Sequence, residues 1–151
     1  MSETGLYNGL GSLSGFQRDP YLDFRHSESR YTMSRITWET HNGHDILCGN
    51  YANASAEEVI AAFAASNRIL IGSKEQVLVF VDVTNISLDR TVFLYLRNPE
   101  TKRAAKHIKK AAIIGLNAIA AMGLDAYNRI YGIGVKSFRD KPTTLDWLTM
   151  T

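Results

Sequence analysis

The chain has a single cysteine, Cys48, in 151 residues. An intramolecular disulfide is therefore excluded, and a reducing compartment is the default expectation. Cys48 lies in the apolar run Ile46-Leu47-Cys48, the setting of a small core residue and not of a reactive thiol. Long hydrophobic runs are also absent, and none approaches the roughly 20 residues of a membrane span. Charge of one sign is lacking. Lys and Arg number 17 against 15 Asp and Glu, a formal net charge of +2, which makes no case for nucleic acid. Residues 1–15 show neither a basic n-region nor an apolar h-region, so no secretory signal is read and a cytoplasmic location is expected. Internal repeats and low-complexity tracts are missing. So are the motifs of nucleophilic hydrolysis (Gly-x-Ser-x-Gly), phosphate loops and zinc proteases (His-Glu-x-x-His). No enzyme, cofactor or resident metal is predicted.

What is present is ordinary for one globular domain with an appendage: 45% apolar and 21% charged residues. Residues 1–33 form the appendage. Gly5, Gly9, Gly11, Gly15 and Pro20 occur there without helical or strand period, the composition of a flexible arm. Tyr7, Phe16, Tyr21, Phe24 and Tyr31 support a second reading, an arm that docks on a protein partner or a second copy. The arm is slightly acidic and the remainder slightly basic, which favours docking near Lys102 to Lys110.

The domain proper is placed at 34–151. Ile36 and Trp38 alternate with Thr37 and Glu39 as in a half-buried strand. Asn42-Gly43 signals a hairpin turn, with 45–51 as the returning strand. Ser55 and Glu58 form the pattern of a capping box at a helix start, and Gly72 is its natural stop. Val77 to Val83 is nearly all apolar and reads as a central strand covered on both faces. Thr91 to Leu96 has strand propensity, yet Leu88, Val92 and Leu96 share a helix face, and the helix reading is adopted. Asn98 and Pro99 start a further helix that should run to about Lys109. Then follow a strand over 111–114, a helix over 117–131, a strand over 135–138 and a last helix from Thr144. Strand, helix, strand, helix implies an α/β fold: a mixed sheet of about five strands, an N-terminal antiparallel hairpin and covering helices.

Val79-Phe80-Val81-Asp82, Lys110-Ala111-Ala112-Ile113-Ile114-Gly115, Tyr127-Asn128-Arg129, and Phe138 followed by Leu145-Asp146-Trp147-Leu148 resemble the STAS-like proteins. These are relatives of bacterial anti-sigma-factor antagonists, also described as related to a lipid-binding fold. The resemblance spans roughly 36–148. It implies regulation through protein contacts, or apolar-ligand binding, and not catalysis. In antagonist members a central strand leads to an Asp-Ser-Ser-Gly helix start whose serine is phosphorylated. Asp89-Arg90-Thr91-Val92 stands there, which makes Thr91 the candidate phosphoacceptor, without the serine pair and the glycine.

Other candidate sites come from the residues themselves. Lys102, Arg103, Lys106, Lys109 and Lys110 suggest a basic helical face for an anionic lipid headgroup, RNA or an acidic partner, against the plainer reading of a solvated face. His41 and His44 flank the turn, but a structural zinc needs four ligands and solvated histidines are expected. Ile119, Met122, Leu124, Tyr127, Ile130 and Tyr131 read as core, with a lipid pocket as the alternative. The leading functional expectation is a non-enzymatic regulatory or scaffold domain with a protein partner or homo-oligomer. The alternative is a carrier for a small apolar ligand or lipid, held between the sheet and the last two long helices.

Overall fold

The alternating residues form β1 (Ile36–His41) and β2 (His44–Asn50), paired antiparallel with His41 opposite His44. Asn42 (φ 50°) and Gly43 (φ 79°) both adopt the left-handed backbone that a two-residue hairpin turn requires. The computed structural model describes residues 35–87 and 89–151.

The first helix, α1 (Ala56–Ile71), begins with the expected reciprocal cap. Ser55 Oγ accepts from the Glu58 N–H at 3.2 Å, and Glu58 Oε1 accepts from the Ser55 N–H at 2.9 Å. Gly72 ends it with a right-handed φ of −80°. Next come β3 (Val77–Asp82), α2 (Arg90–Leu96) and α3 (Pro99–Ala105). Asp89 caps α2 by accepting from the Val92 N–H at 3.1 Å, and the helix buries Val92. The strand propensity of residues 91–96 loses to that cap and that burial. Then follow β4 (Ile108–Ile114), α4 (Ala118–Tyr131), β5 (Lys136–Phe138) and α5 (Lys141–Thr149).

The larger departures from the sequence reading are the end of α3, the start of β4, at Ile108 and not 111, and the start of α5. The helix at Pro99 stops at Ala105, not near Lys109, because β4 starts at Ile108 to pair with β3. The last helix begins three residues before Thr144. Asp140 accepts from the Thr143 N–H at 2.9 Å, and Pro142 lies in the first turn, where no N–H is needed.

The five strands lie in the order β1-β2-β3-β4-β5, antiparallel between β1 and β2 and parallel elsewhere. The fold is thus the expected α/β mixed sheet, with β3 at its centre. Parallel strands need cover on both faces. Leu47, Val79 and Ala111 face one side and meet Leu70 of α1 and Ala104 of α3, while Val59 of α1 and Val92 of α2 pack on Val83 just beyond β3. Ile46, Leu78, Phe80 and Ala112 face the other and meet Leu145 and Leu148 of α5. Trp147 packs on that second core with its ring centroid 5.3 Å from Phe138.

Gly115, just after β4, has φ +88°, and a Cβ there would lie 2.4 Å from Thr84 Oγ1 and 2.5 Å from Thr84 N. Gly132, the cap of α4, has φ +65° with nothing within 4 Å. Alanine at either position meets the left-handed penalty of about 1–2 kcal/mol. Only Gly115→Ala must also displace backbone, adding about 1–3 kcal/mol. Urea unfolding should therefore show Gly115→Ala clearly less stable than Gly132→Ala. Equal losses would contradict the close approach of the two loops.

Candidate functional site

Small residues meet beneath the helical layer. Ala104 and Ala105 of α3, Ala111 of β4, and Ala120 and Gly123 of α4 face one another where larger side chains would fill the space. They leave a cavity of about 150 Å³ between the sheet and α1, α2, α3 and α4. Phe63, Val79, Leu96 and Tyr127 complete its apolar walls. The space is partly open to solvent, and an apolar pocket of this order admits a benzene-sized guest. Its location corrects the sequence expectation: α5 does not contribute, because it covers the opposite face of the sheet.

One wall is polar. Asn67 Nδ2 donates to Thr101 Oγ1 at 3.0 Å, with both residues buried. Beside them lies Tyr51, whose phenol is pushed up by burial and opposed by the nearby Ser66 side chain. Burial also raises Tyr95, with Glu100 adding and Asn98 and Asn67 opposing. Tyr127 is pushed up to about 12, first by burial and then by Tyr131. Of these, Asn67, Thr101, Tyr51 and Tyr127 line the space and supply neutral hydroxyls and an amide, suited to one or two hydrogen bonds with a largely apolar guest. The sequence reading missed Ser66, Asn67 and Thr101 here. The available signal was two polar residues, Ser66 and Asn67, on the same stripe of α1 as Val59, Phe63 and Leu70.

The roof is lightly held. Ala120 is the buried residue of α4, while Ile119, Met122 and Ile130 are 78%, 73% and 54% exposed. The expectation that these three are core is corrected. Apolar residues surround this helix, and only one stripe of them can face the sheet. Leu124, Tyr127 and Tyr131 are half-buried, and the Tyr131 hydroxyl donates to the Leu96 carbonyl of α2. Gly123 lets α2 approach, since a Cβ there would lie 2.8 Å from the Phe93 ring.

The other candidates are dispersed. The basic set does not form one helical face. Lys102 and Arg103 are exposed on α3, Lys106 caps it, and Lys109 and Lys110 belong to β4. Lys109 sits at a register shift, and Lys110 turns toward α5, 4.2 Å from the Trp147 ring centroid, where it donates to the Trp147 carbonyl at 2.6 Å. That lysine is structural. Thr91 is exposed in the first turn of α2, beside the Asp89 cap. The Asp82 carboxylate at the end of β3 accepts from the Thr84 N–H at 2.9 Å and from its hydroxyl at 2.6 Å, so it closes a turn. His41 Nε2 lies 2.7 Å from Asp146 Oδ1 and ties the hairpin to α5. Among the described residues no group of three or more His, Cys, Asp or Glu could hold a metal ion. Cys48 is buried on the α5 face, and burial, then Glu39, pushes its thiol up to about 12. Tyr7, Phe16, Tyr21, Phe24 and Tyr31 of the arm lie outside the described residues. Among the described residues no helix is long and apolar enough to cross a membrane. No family model, curated protein or solved structure matches this chain.

The tyrosine environments carry a pH signature. Tyr51, Tyr95 and Tyr127 titrate above their ordinary value of 10.0 in the folded chain. Folded protein keeps protons that unfolded chain releases, so their contribution is complete below pH 10 and declines as pH rises above it. Urea midpoints measured from about pH 9 to pH 12 should fall, and Tyr127→Phe should fall less steeply than wild type. Parallel curves would mean that Tyr127 is solvated.

Proposed function

We propose that this domain is a non-catalytic binding module that holds a small, largely apolar molecule between its sheet and the α1–α4 layer. The observation that carries the reading is the cavity of about 150 Å³, apolar on most sides and polar at Asn67 and Thr101. A guest there would cover apolar surface that the α1–α4 layer leaves partly open to water. The STAS-like resemblance, with its link to lipid-binding proteins, agrees with this reading, as does a cytoplasmic setting.

A second reading, a regulatory or scaffold domain acting through protein contacts, is favoured by the outer face of the same roof. Ile119, Met122 and Ile130 on α4 and Leu94 on α2 are exposed apolar residues, and Thr91 stands on the same α2. The two readings are compatible, because a guest beneath α4 would alter the surface that α4 offers to a partner. Under this reading, Met122→Asp should leave folding unchanged, by circular dichroism, and remove a partner that co-purifies with the wild type. An unchanged set of co-purifying proteins would speak against it.

The direct test of the first reading is toluene binding. Toluene in excess should raise the Tm of the wild type by a few degrees, as any ligand specific to the folded state does. Ala120→Leu places a larger side chain in the void and should abolish that shift while leaving the unliganded Tm equal or higher. No shift in the wild type, or the same shift in both proteins, would overturn the proposal.

A further inference from the structure

β1 ends the sheet with an edge that nothing among the described residues covers. The Asn50 N–H donates to the Arg35 carbonyl at 2.7 Å, so Arg35 and Asn50 form a hydrogen-bonded pair of the antiparallel ladder. Hydrogen-bonded and non-bonded pairs alternate. With Ile36 opposite Gly49, residues Thr37, Glu39 and His41 bond inward to β2. The N–H and C=O groups of Ile36, Trp38 and Thr40 therefore point away from the sheet.

Natural edges are usually protected by lysine, proline, a bulge or shortness. The opposite side of this sheet follows that rule. β5 has only three residues and carries Lys136, and the part of β4 it leaves uncovered carries Lys109 at a register shift. β1 has six residues, regular register, no proline and no lysine. Its one acid, Glu39, is paired with Lys141 of α5 at 2.9 Å. At the middle of the edge stands Trp38, 51% exposed, on the same side as Ile36.

We propose that β1 pairs antiparallel with β1 of a second copy, with Trp38 on the two-fold axis. In that register Trp38 faces Trp38, Ile36 faces Thr40 and Thr37 faces Glu39. The three outward-pointing residues then all occupy hydrogen-bonded positions, and each facing pair exchanges two bonds. No like charges stand directly opposite, so the edge is electrostatically self-complementary. The two indoles meet beside Ile36, on the helical side of the joined sheets. The interface is isologous, as a two-fold dimer demands. It is independent of the cavity and its occupant.

Cysteine cross-linking of the full chain tests the register. Facing residues in a hydrogen-bonded pair have Cα atoms about 5.5 Å apart, within the roughly 4.4–6.8 Å that a disulfide spans. Thr40 and its own copy would be separated by about 13 Å along the strands. Under mild oxidation Trp38→Cys should give a covalent dimer, and Thr40→Cys should give at least tenfold less. The wild type, whose Cys48 is buried, should give none. Light scattering should find wild-type dimers that Trp38→Lys converts to monomers of unchanged circular dichroism. Failure of Trp38→Cys to link, equal linking of both variants, or a wild-type monomer at every concentration would overturn the proposal.

Discussion

Two-sided burial of the three central strands governs this structure. β2, β3 and β4 carry apolar side chains on both faces, and a parallel arrangement cannot leave either face wet. Each parallel step along the sheet is made by a helical connection of one hand, which brings α1, α2, α3 and α4 to the same side. Among the described residues one helix, α5, covers the other side. That division explains why the short C-terminal helix carries so many anchors. Leu145 and Leu148 fill the core, Trp147 packs on Phe138, Lys110 reaches the end of the helix, and His41 and Glu39 reach its flank.

The crowded side has the opposite problem. Four helices share one face, and small residues line the centre of their layer. Ala104, Ala105, Ala111 and Ala120 border that centre without filling it, and Gly123 lets α4 approach Phe93 of α2. The void is thus a consequence of how the layer is packed. Asn67 and Thr101, hydrogen-bonded to each other, give it a polar wall. Cys48 lies across the sheet with its thiol held protonated, and the Asp82 carboxylate is committed to Thr84.

Local signals in the sequence translated directly into structure. Asn42-Gly43 made the hairpin, Ser55 with Glu58 made the cap of α1, and the apolar run from Val77 made the central strand. Features decided by distant contacts did not. The end of α3 depends on β4 pairing with β3, and nothing near Lys109 announces a register shift. Hence a set of lysines that looks like one helical face is divided between a helix and a strand. Helical spacing marked α4 but could not tell its sheet-facing stripe from its exposed one, because both are apolar. The cavity was legible only as Ser66 and Asn67 interrupting an apolar stripe. Its volume depends on small residues of α3, β4 and α4 that meet only once the helical layer is folded onto the sheet.

Crystals of the protein pressurised with xenon would examine the cavity without assuming any natural guest. Xenon is apolar, close in size to a methyl-lined void, and easily located by its scattering. A single strong site in contact with Phe63, Val79 and Tyr127, beneath an otherwise unmoved α4, is the predicted result. A helical layer that excludes xenon because α4 has collapsed onto the sheet, or ordered water filling the same space, would contradict an apolar binding cavity.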